Sequence, residues 1–123
     1  MAVVLDAGAL IAIDRHDRAV IARLVGAHEY GEAVRTSAAV VAQVWRGGAR
    51  QATLARVLQG VEEIVLDEVQ SRAIGVLLAK SAQRDVVDAA VALIARGGDE
   101  ILTSDPKDIK ALVKGRGVHV TLV

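Results

Sequence analysis

Aspartate side chains stand at three places where a short apolar segment meets a turn or a helix start: Asp6, the pair Asp85 and Asp88, and Asp105. Clustered carboxylates repel one another, so a protein that gathers several of them needs either a cation or raised pKa values. Mg²⁺ and Mn²⁺ are hard ions that take carboxylate oxygens and keep some of their water ligands. A divalent ion in such a cluster can activate water for attack on a phosphodiester and neutralise the charge that develops. The pattern therefore predicts a divalent-metal nuclease.

Each of these acids also has a structural interpretation as a helix cap. Asp is a preferred N-cap residue, and Asp105 precedes Pro106, which suits the first turn of a helix. Asp85 and Asp88 are three residues apart, so one can cap a helix while the other points into a cleft at the sheet edge. For Asp6, capping and metal binding are compatible. The apolar residues around Asp88 favour a metal, because an acid in such surroundings needs a partner.

These acids can meet if the chain forms a parallel sheet. Short β-branched segments alternate with longer segments of helical period, which is typical of βα units and of the α/β fold class. Open sheets of this class bind ligands at the carboxyl ends of their strands, where Asp6 and Asp105 fall. Strands are predicted at Ala2 to Leu5, Ala33 to Thr36, Glu63 to Leu66, Glu100 to Thr103 and Val118 to Leu122.

Helices are predicted in the intervals between the strands, and most of them end near glycines. The chain has 123 residues, which fits a single domain over residues 1–123 with an aliphatic core. Trp45, the one Trp, is predicted to be buried beneath its helix. The helices are predicted after Asp6, at Arg18 to Ala27, Ala38 to Arg46, Ala49 to Leu58, Asp67 to Ser81, Asp85 to Gly97 and Pro106 to Lys114.

In the order and spacing of four segments the chain resembles the PIN-domain proteins, and among them the toxin ribonucleases of the VapC group. The four segments are Val4 to Leu10, Ala38 to Gly47, Asp85 to Ala89 and Leu102 to Asp108. The resemblance implies a PIN-like three-layer α/β/α sandwich with a mostly parallel five-stranded sheet. It also implies an Mg²⁺-dependent endoribonuclease that hydrolyses RNA as the toxin of a type II toxin–antitoxin pair. Asp6, Asp88 and Asp105 fall on positions that hold Mg²⁺ or Mn²⁺ in that family.

Gln43 is the departure from the family pattern, because the family usually has Glu at this catalytic position. An amide offers a carbonyl oxygen but no charge, so affinity for a second metal ion is expected to fall. Weakened activity, a single-metal enzyme and a silenced enzyme all remain open. Asp85 and Asp108 are the nearest acids that could substitute for the missing Glu.

The charge balance bears on partners and location. With 15 basic and 15 acidic residues the formal net charge is zero, so any RNA contact must rely on a local basic patch. The absence of cysteine and of a long apolar stretch predicts a cytoplasmic protein without a membrane partner. By resemblance, the expected partners are RNA, a second copy of the chain and a cognate antitoxin. The basic residues nearest the motifs are Arg15, Arg46, Arg50, Arg84 and Lys107.

Two other classes of protein compete with the nuclease. In the first, a decayed PIN-like module dimerises or binds an antitoxin without catalysis, an interpretation that Gln43 favours. In the second, a phosphoacceptor receiver domain would use Asp67 and Thr103. The receiver pattern needs paired acids after the first strand, where this chain has Asp6-Ala7, and Lys107 precedes the last strand instead of following it.

Overall fold

A five-stranded, entirely parallel sheet forms the centre of the computed structural model, which describes all 123 residues. Its strand order is β3-β2-β1-β4-β5, so the first strand is central and its four residues are all buried. The predicted α/β fold class and PIN-like sandwich are confirmed. The strands are β1 (Ala2–Leu5), β2 (Ala33–Ser37), β3 (Glu62–Ile64), β4 (Glu100–Thr103) and β5 (His119–Leu122).

Helices cover both faces of this sheet. The chain leaves β1 toward β2 and β3 and then returns past β1 to β4 and β5, so right-handed connections place α1 to α4 on one face and α5 to α7 on the other. Most contacts between helices follow the same division, although α3 and α6 also contact each other. The helices are α1 (Ala7–Asp14), α2 (Arg18–Glu29), α3 (Ala38–Val44), α4 (Ala52–Leu58), α5 (Glu68–Ser81), α6 (Val86–Ile94) and α7 (Pro106–Leu112), with a short 3₁₀ turn at Ala49–Gln51.

Some predicted boundaries were wrong at helix C-termini. The α3 helix stops at Val44, two residues before its predicted end, because Trp45 adopts an extended backbone. The α6 helix stops at Ile94, because Ala95 is extended and the Arg116 guanidinium donates hydrogen bonds to the carbonyl oxygens of Ala92 and Ala95. Those bonds satisfy carbonyls that a continuing helix would have used.

The amino-terminal edge of the sheet is fixed by the buried residue Asp99. Its carboxylate accepts hydrogen bonds from the backbone amides of Ala2 at 2.8 Å and Arg96 at 2.8 Å. The Arg35 guanidinium lies 3.8 Å from the same carboxylate. Because these contacts complete the charge and hydrogen bonds of Asp99, this acid has a structural explanation, in contrast to those at the opposite edge.

Candidate metal centre

Two of the predicted acids lie side by side at the carboxyl edge of the sheet. The central strand β1 pairs in parallel with β4, with Leu5 opposite Leu102. The backbone amide of Asp6 continues this ladder by donating to the carbonyl of Leu102 at 3.2 Å. Asp6 and the segment that leads to Asp105 therefore leave adjacent strands at the same edge.

Asp6 has the capping role that the sequence allowed. It is 4% exposed, and its carboxylate caps α1 by accepting a hydrogen bond from the Ala9 amide at 2.8 Å. Burial raises the pKa of Asp6, while hydrogen bonds from Thr103 and from nearby backbone amides oppose that rise. The hydrogen bonds thus hold the carboxylate in place, while its burial disfavours the charged form.

Thr103 joins the two strand ends, a role that the sequence did not reveal. The residue is fully buried, and its hydroxyl accepts a hydrogen bond from the Asp105 amide at 2.9 Å. The same side chain forms a hydrogen bond with Asp6. One hydroxyl therefore connects the Asp6 carboxylate to the backbone that carries Asp105. The signal in the sequence was a Thr two residues before a strand-end Asp.

Three carboxylates, including that of Asp105, converge at this edge. Asp88 from α6 and Asp105 and Asp108 from the start of α7 each place a carboxylate oxygen within 4.8 Å of the others. A hydrogen bond and charge repulsion from Asp105 raise the pKa of Asp108. The sequence offered Asp108 only as a substitute for the missing Glu, and the structure brings it into the acidic group.

Asp88 is the most perturbed member of this group. Burial raises the pKa of Asp88 to about 6, with further contributions from the negative charges of Asp85, Asp105, Asp6 and Asp108. Asp85 is engaged differently, because its carboxylate caps α6 by accepting the Asp88 amide at 2.9 Å. The two acids thus differ as the spacing predicted: Asp85 caps the helix, and Asp88 lies among the clustered carboxylates.

Gln43 lies outside this cluster of three carboxylates. It is exposed near the end of α3 and lines a cavity together with Ala7, Arg15 and Arg46. Ala7 follows Asp6 directly, so the cavity adjoins the acidic edge. Of the other basic residues singled out in the sequence, Arg50, Arg84 and Lys107 are exposed.

The prediction that Trp45 is buried was wrong. The residue is 40% exposed and borders a shallow depression with Val41 and Leu58. The reason is the early end of α3, since Trp45 lies on the extended segment after the helix and not beneath it.

Comparison with known proteins supports the fold. No family profile matches the chain, and no curated protein matches it in sequence. The structure is similar to that of VapBC2 from Rickettsia felis bound to a DNA fragment from their promoter, with a TM-score of 0.72, 14% identity, and coverage of 100% of this chain and 99% of that one. The fold is therefore VapC-like, as the motifs indicated. No helix has the length and apolar character needed to cross a membrane.

Proposed function

We propose that the protein is an Mg²⁺-dependent (or Mn²⁺-dependent) endoribonuclease that hydrolyses RNA phosphodiester bonds as the toxin of a toxin–antitoxin pair. The observation that carries this proposal is the convergence of Asp88, Asp105 and Asp108 within 4.8 Å, beside the buried Asp6. The VapC-like fold supports it, because the motif residues occupy the ligand-binding edge of a parallel sheet.

The donor set fits a hard divalent ion. Octahedral coordination at about 2.1 Å separates ligand oxygens by roughly 3–4 Å, so three oxygens within 4.8 Å of one another need only small side-chain movements. All available donors are carboxylate oxygens, and no cysteine or histidine belongs to the group. Burial and the neighbouring negative charges raise the pKa of Asp88, and a bound cation would compensate those charges.

In this proposal the protein positions the metal ion and the RNA, and the ion supplies the positive charge. When bound, a divalent ion would polarise a phosphodiester oxygen and lower the pKa of a water that attacks phosphorus. Asp88, Asp105 and Asp108 would hold that ion, with Asp6 fixed nearby by its cap and by Thr103. Arg15 and Arg46 lie at the adjoining cavity, where their cations can attract the phosphates of an RNA strand.

Gln43 is proposed to weaken this activity and not to abolish it. Asp88, Asp105 and Asp108 supply three carboxylates of their own, so one ion could be held without a charge at position 43. A Glu at this position would add a charge beside the cavity and favour a second ion. The competing interpretation, a decayed module that dimerises or binds an antitoxin, keeps the fold but predicts no cleavage even with Glu at position 43.

Cleavage of a mixed structured-RNA pool tests this proposal. The chain and Gln43→Glu are compared with Mg²⁺, with Mn²⁺ and with EDTA. We expect cleavage that EDTA stops, faster for Gln43→Glu, and reduced by about 100-fold or more in Asp6→Asn or Asp88→Asn. Asn retains the capping ability of Asp, so Asp6→Asn should fold.

The matched control is Asp67→Asn, which replaces an Asp that caps α5 away from the cluster and should cleave like the parent. Unchanged cleavage in Gln43→Glu, with Asp6→Asn inactive, would refute the role assigned to position 43. Absence of cleavage by both the chain and Gln43→Glu would favour the decayed module.

The partners proposed for this function are a second copy of the chain and an antitoxin. An apolar groove of about 280 Å³ runs between α2 and α4, lined in part by Leu24, Val25 and Val57. Val25 is 51% exposed, so its apolar side chain is available for contact with a partner. We propose this groove as a place where an apolar antitoxin segment packs.

A further inference from the structure

The polar cavity that Gln43 lines adjoins the acidic edge and has further polar groups to which the proposed metal site gives no role. It has a volume of about 340 Å³ and opens between α1 and the end of α3, which is within the lower range of ligand pockets. Ala7, next to Asp6, places it beside the acidic group. Its polar lining consists of Asp14, Arg15, Gln43, Arg46 and Gln51.

Gln51 makes the wall of this cavity a fixed structure. It is 7% exposed, and its side-chain oxygen accepts hydrogen bonds from the amides of Arg46 at 2.7 Å and Gly47 at 3.0 Å. Its side-chain nitrogen donates to the Val44 carbonyl at 3.1 Å. These bonds hold the segment after α3 in one conformation, so the cavity is formed before any ligand arrives.

Asp14 has unused hydrogen-bonding capacity in that wall. Its Oδ1 atom is buried and has no hydrogen-bond partner. Its Oδ2 atom accepts one bond, from Gln51 Nε2 at 3.4 Å, which is near the limit for a hydrogen bond. Rotation of this carboxylate toward the cavity would break only the long hydrogen bond from Gln51, because the energy well of the terminal torsion of Asp is broad. Buried polar atoms are normally satisfied, so this oxygen is available to accept a hydrogen bond from a ligand.

The residues that line the cavity indicate which kind of ligand could donate a hydrogen bond to Asp14. Two arginines at the cavity disfavour a cationic side chain and attract phosphate. A ligand that brings N–H donors together with phosphates is a nucleotide of single-stranded RNA, whose unstacked bases are read on their Watson–Crick edges. Guanine presents two adjacent N–H donors on that edge, which match the two oxygens of a carboxylate. Adenine, cytosine and uracil each place an acceptor next to their donor, and an acceptor repels the second oxygen.

We propose that this cavity is a guanine-binding subsite, in which Asp14 accepts both N–H groups of the base while Arg15 and Arg46 contact neighbouring phosphates. The inference rests on the proposed RNA substrate and adds a base preference to it. The selected guanosine is adjacent to the phosphate that reaches the acidic cluster, because the cavity begins at Ala7.

The test measures binding without cleavage. Fluorescein-labelled oligouridylates that carry one central guanosine or one central inosine are titrated with the protein in EDTA. Inosine lacks only the exocyclic amine, so it keeps one of the two donors. We expect the guanosine strand to bind about tenfold more tightly, as for loss of one hydrogen bond to a charged group. Asp14→Asn should remove this difference.

Arginine variants separate the phosphate contacts from base recognition. Arg15→Gln and Arg46→Gln should weaken binding of both strands by the same factor. The matched control is Arg56→Gln on α4, where an exposed arginine with the same charge should be dispensable.

Equal affinity of the unmodified protein for the two strands would overturn the subsite, and this comparison requires no variant to fold. A preference that persists in a folded Asp14→Asn protein would overturn the assignment to Asp14. If the protein cleaves RNA but shows no guanosine preference in binding, the subsite is refuted and the proposed nuclease activity is supported. Guanosine-selective binding by a protein that never cleaves would support the subsite and refute the nuclease.

Discussion

The carboxylate of Asp88 is half-buried among four other acids, and burial and charge repulsion together raise its pKa to about 6. In the unfolded chain the same group has its ordinary pKa of 3.8. The folded protein therefore binds this proton more tightly than the unfolded protein does. The stability that results is complete below the unfolded pKa and is lost as pH rises through the folded pKa. At neutral pH the metal-free protein carries a charge that opposes folding.

Asp88→Asn should stabilise the metal-free protein at pH 7.5, because Asn mimics the neutral form of the acid. After allowance for solvent screening, the gain is expected to be about 1 kcal/mol, or roughly 2–5 °C in Tm. The measurement is thermal unfolding in EDTA between pH 4.5 and 8. The difference between variant and parent should be smallest near pH 4.5, should grow as pH rises toward about 6, and should level off at higher pH.

Addition of Mg²⁺ provides the control for this interpretation. The parent should gain stability from the ion at pH 7.5 and lose that gain as pH falls through about 6, since protons compete for the ligand. Asp88→Asn should gain little at any pH. A parent protein more stable than Asp88→Asn in EDTA at pH 7.5 would show that the Asp88 charge is already compensated within the chain.

For helices and strands, the sequence predicts those features that depend only on residues close together in the chain. Asp6 and Asp85 could be recognised as caps because a helix start is a local pattern, and the structure confirms both. The end of α6 could not be predicted, since Arg116 caps it from a distant segment. The positions of Thr103 and Asp108 at the acidic edge could not be predicted for the same reason. Their roles depend on β1, β4, α6 and α7 meeting at one edge, which spacing alone does not specify.

Gly8 sets how closely α1 approaches the end of β4. A Cβ atom at this position would lie 2.1 Å from Ser104 Oγ and 2.5 Å from Ser104 Cβ. Gly8→Ala should therefore push α1 away from the strand end, destabilise the fold by about 1–3 kcal/mol and weaken metal binding by separating Asp6 from Asp105. Denaturant unfolding and metal titration of the purified variant measure both effects.

Ser104→Gly in the Gly8→Ala background should recover part of the lost stability, because it removes the two nearest atoms. The matched control is Gly26→Ala in α2, where a Cβ would meet nothing within 4 Å. That substitution should be neutral or stabilising by up to about 1 kcal/mol, as expected for Ala over Gly in a helix. Equal stability of Gly8→Ala and Gly26→Ala would mean that α1 does not pack against Ser104 as closely as the structure indicates.

Across the whole molecule, an aliphatic core coexists with exposed large apolar side chains, four of which lie in α5 or just before it. Val65 is 63% exposed, Leu66 44%, Val69 74% and Val76 55%. Val69 and Val76 are seven residues apart on α5 and so share a helix face. Val65 and Leu66 precede that helix, next to the edge strand β3. Exposed apolar side chains grouped along one segment are typical of an interface between subunits.

The chain is therefore expected to form a homodimer through α5. The monomer mass is 12.9 kDa, so sedimentation equilibrium at micromolar concentration should give about twice this value. Introducing two charges with Val69→Lys and Val76→Lys should shift the protein to monomers without unfolding it, because both side chains are exposed. Tyr30→Lys is the matched control, since Tyr30 is 85% exposed and lies after α2, on the opposite face of the sheet. Dissociation by the valine pair but not by Tyr30→Lys would assign the interface to α5, whereas a parent protein that sediments as a monomer would mean that this surface has another partner.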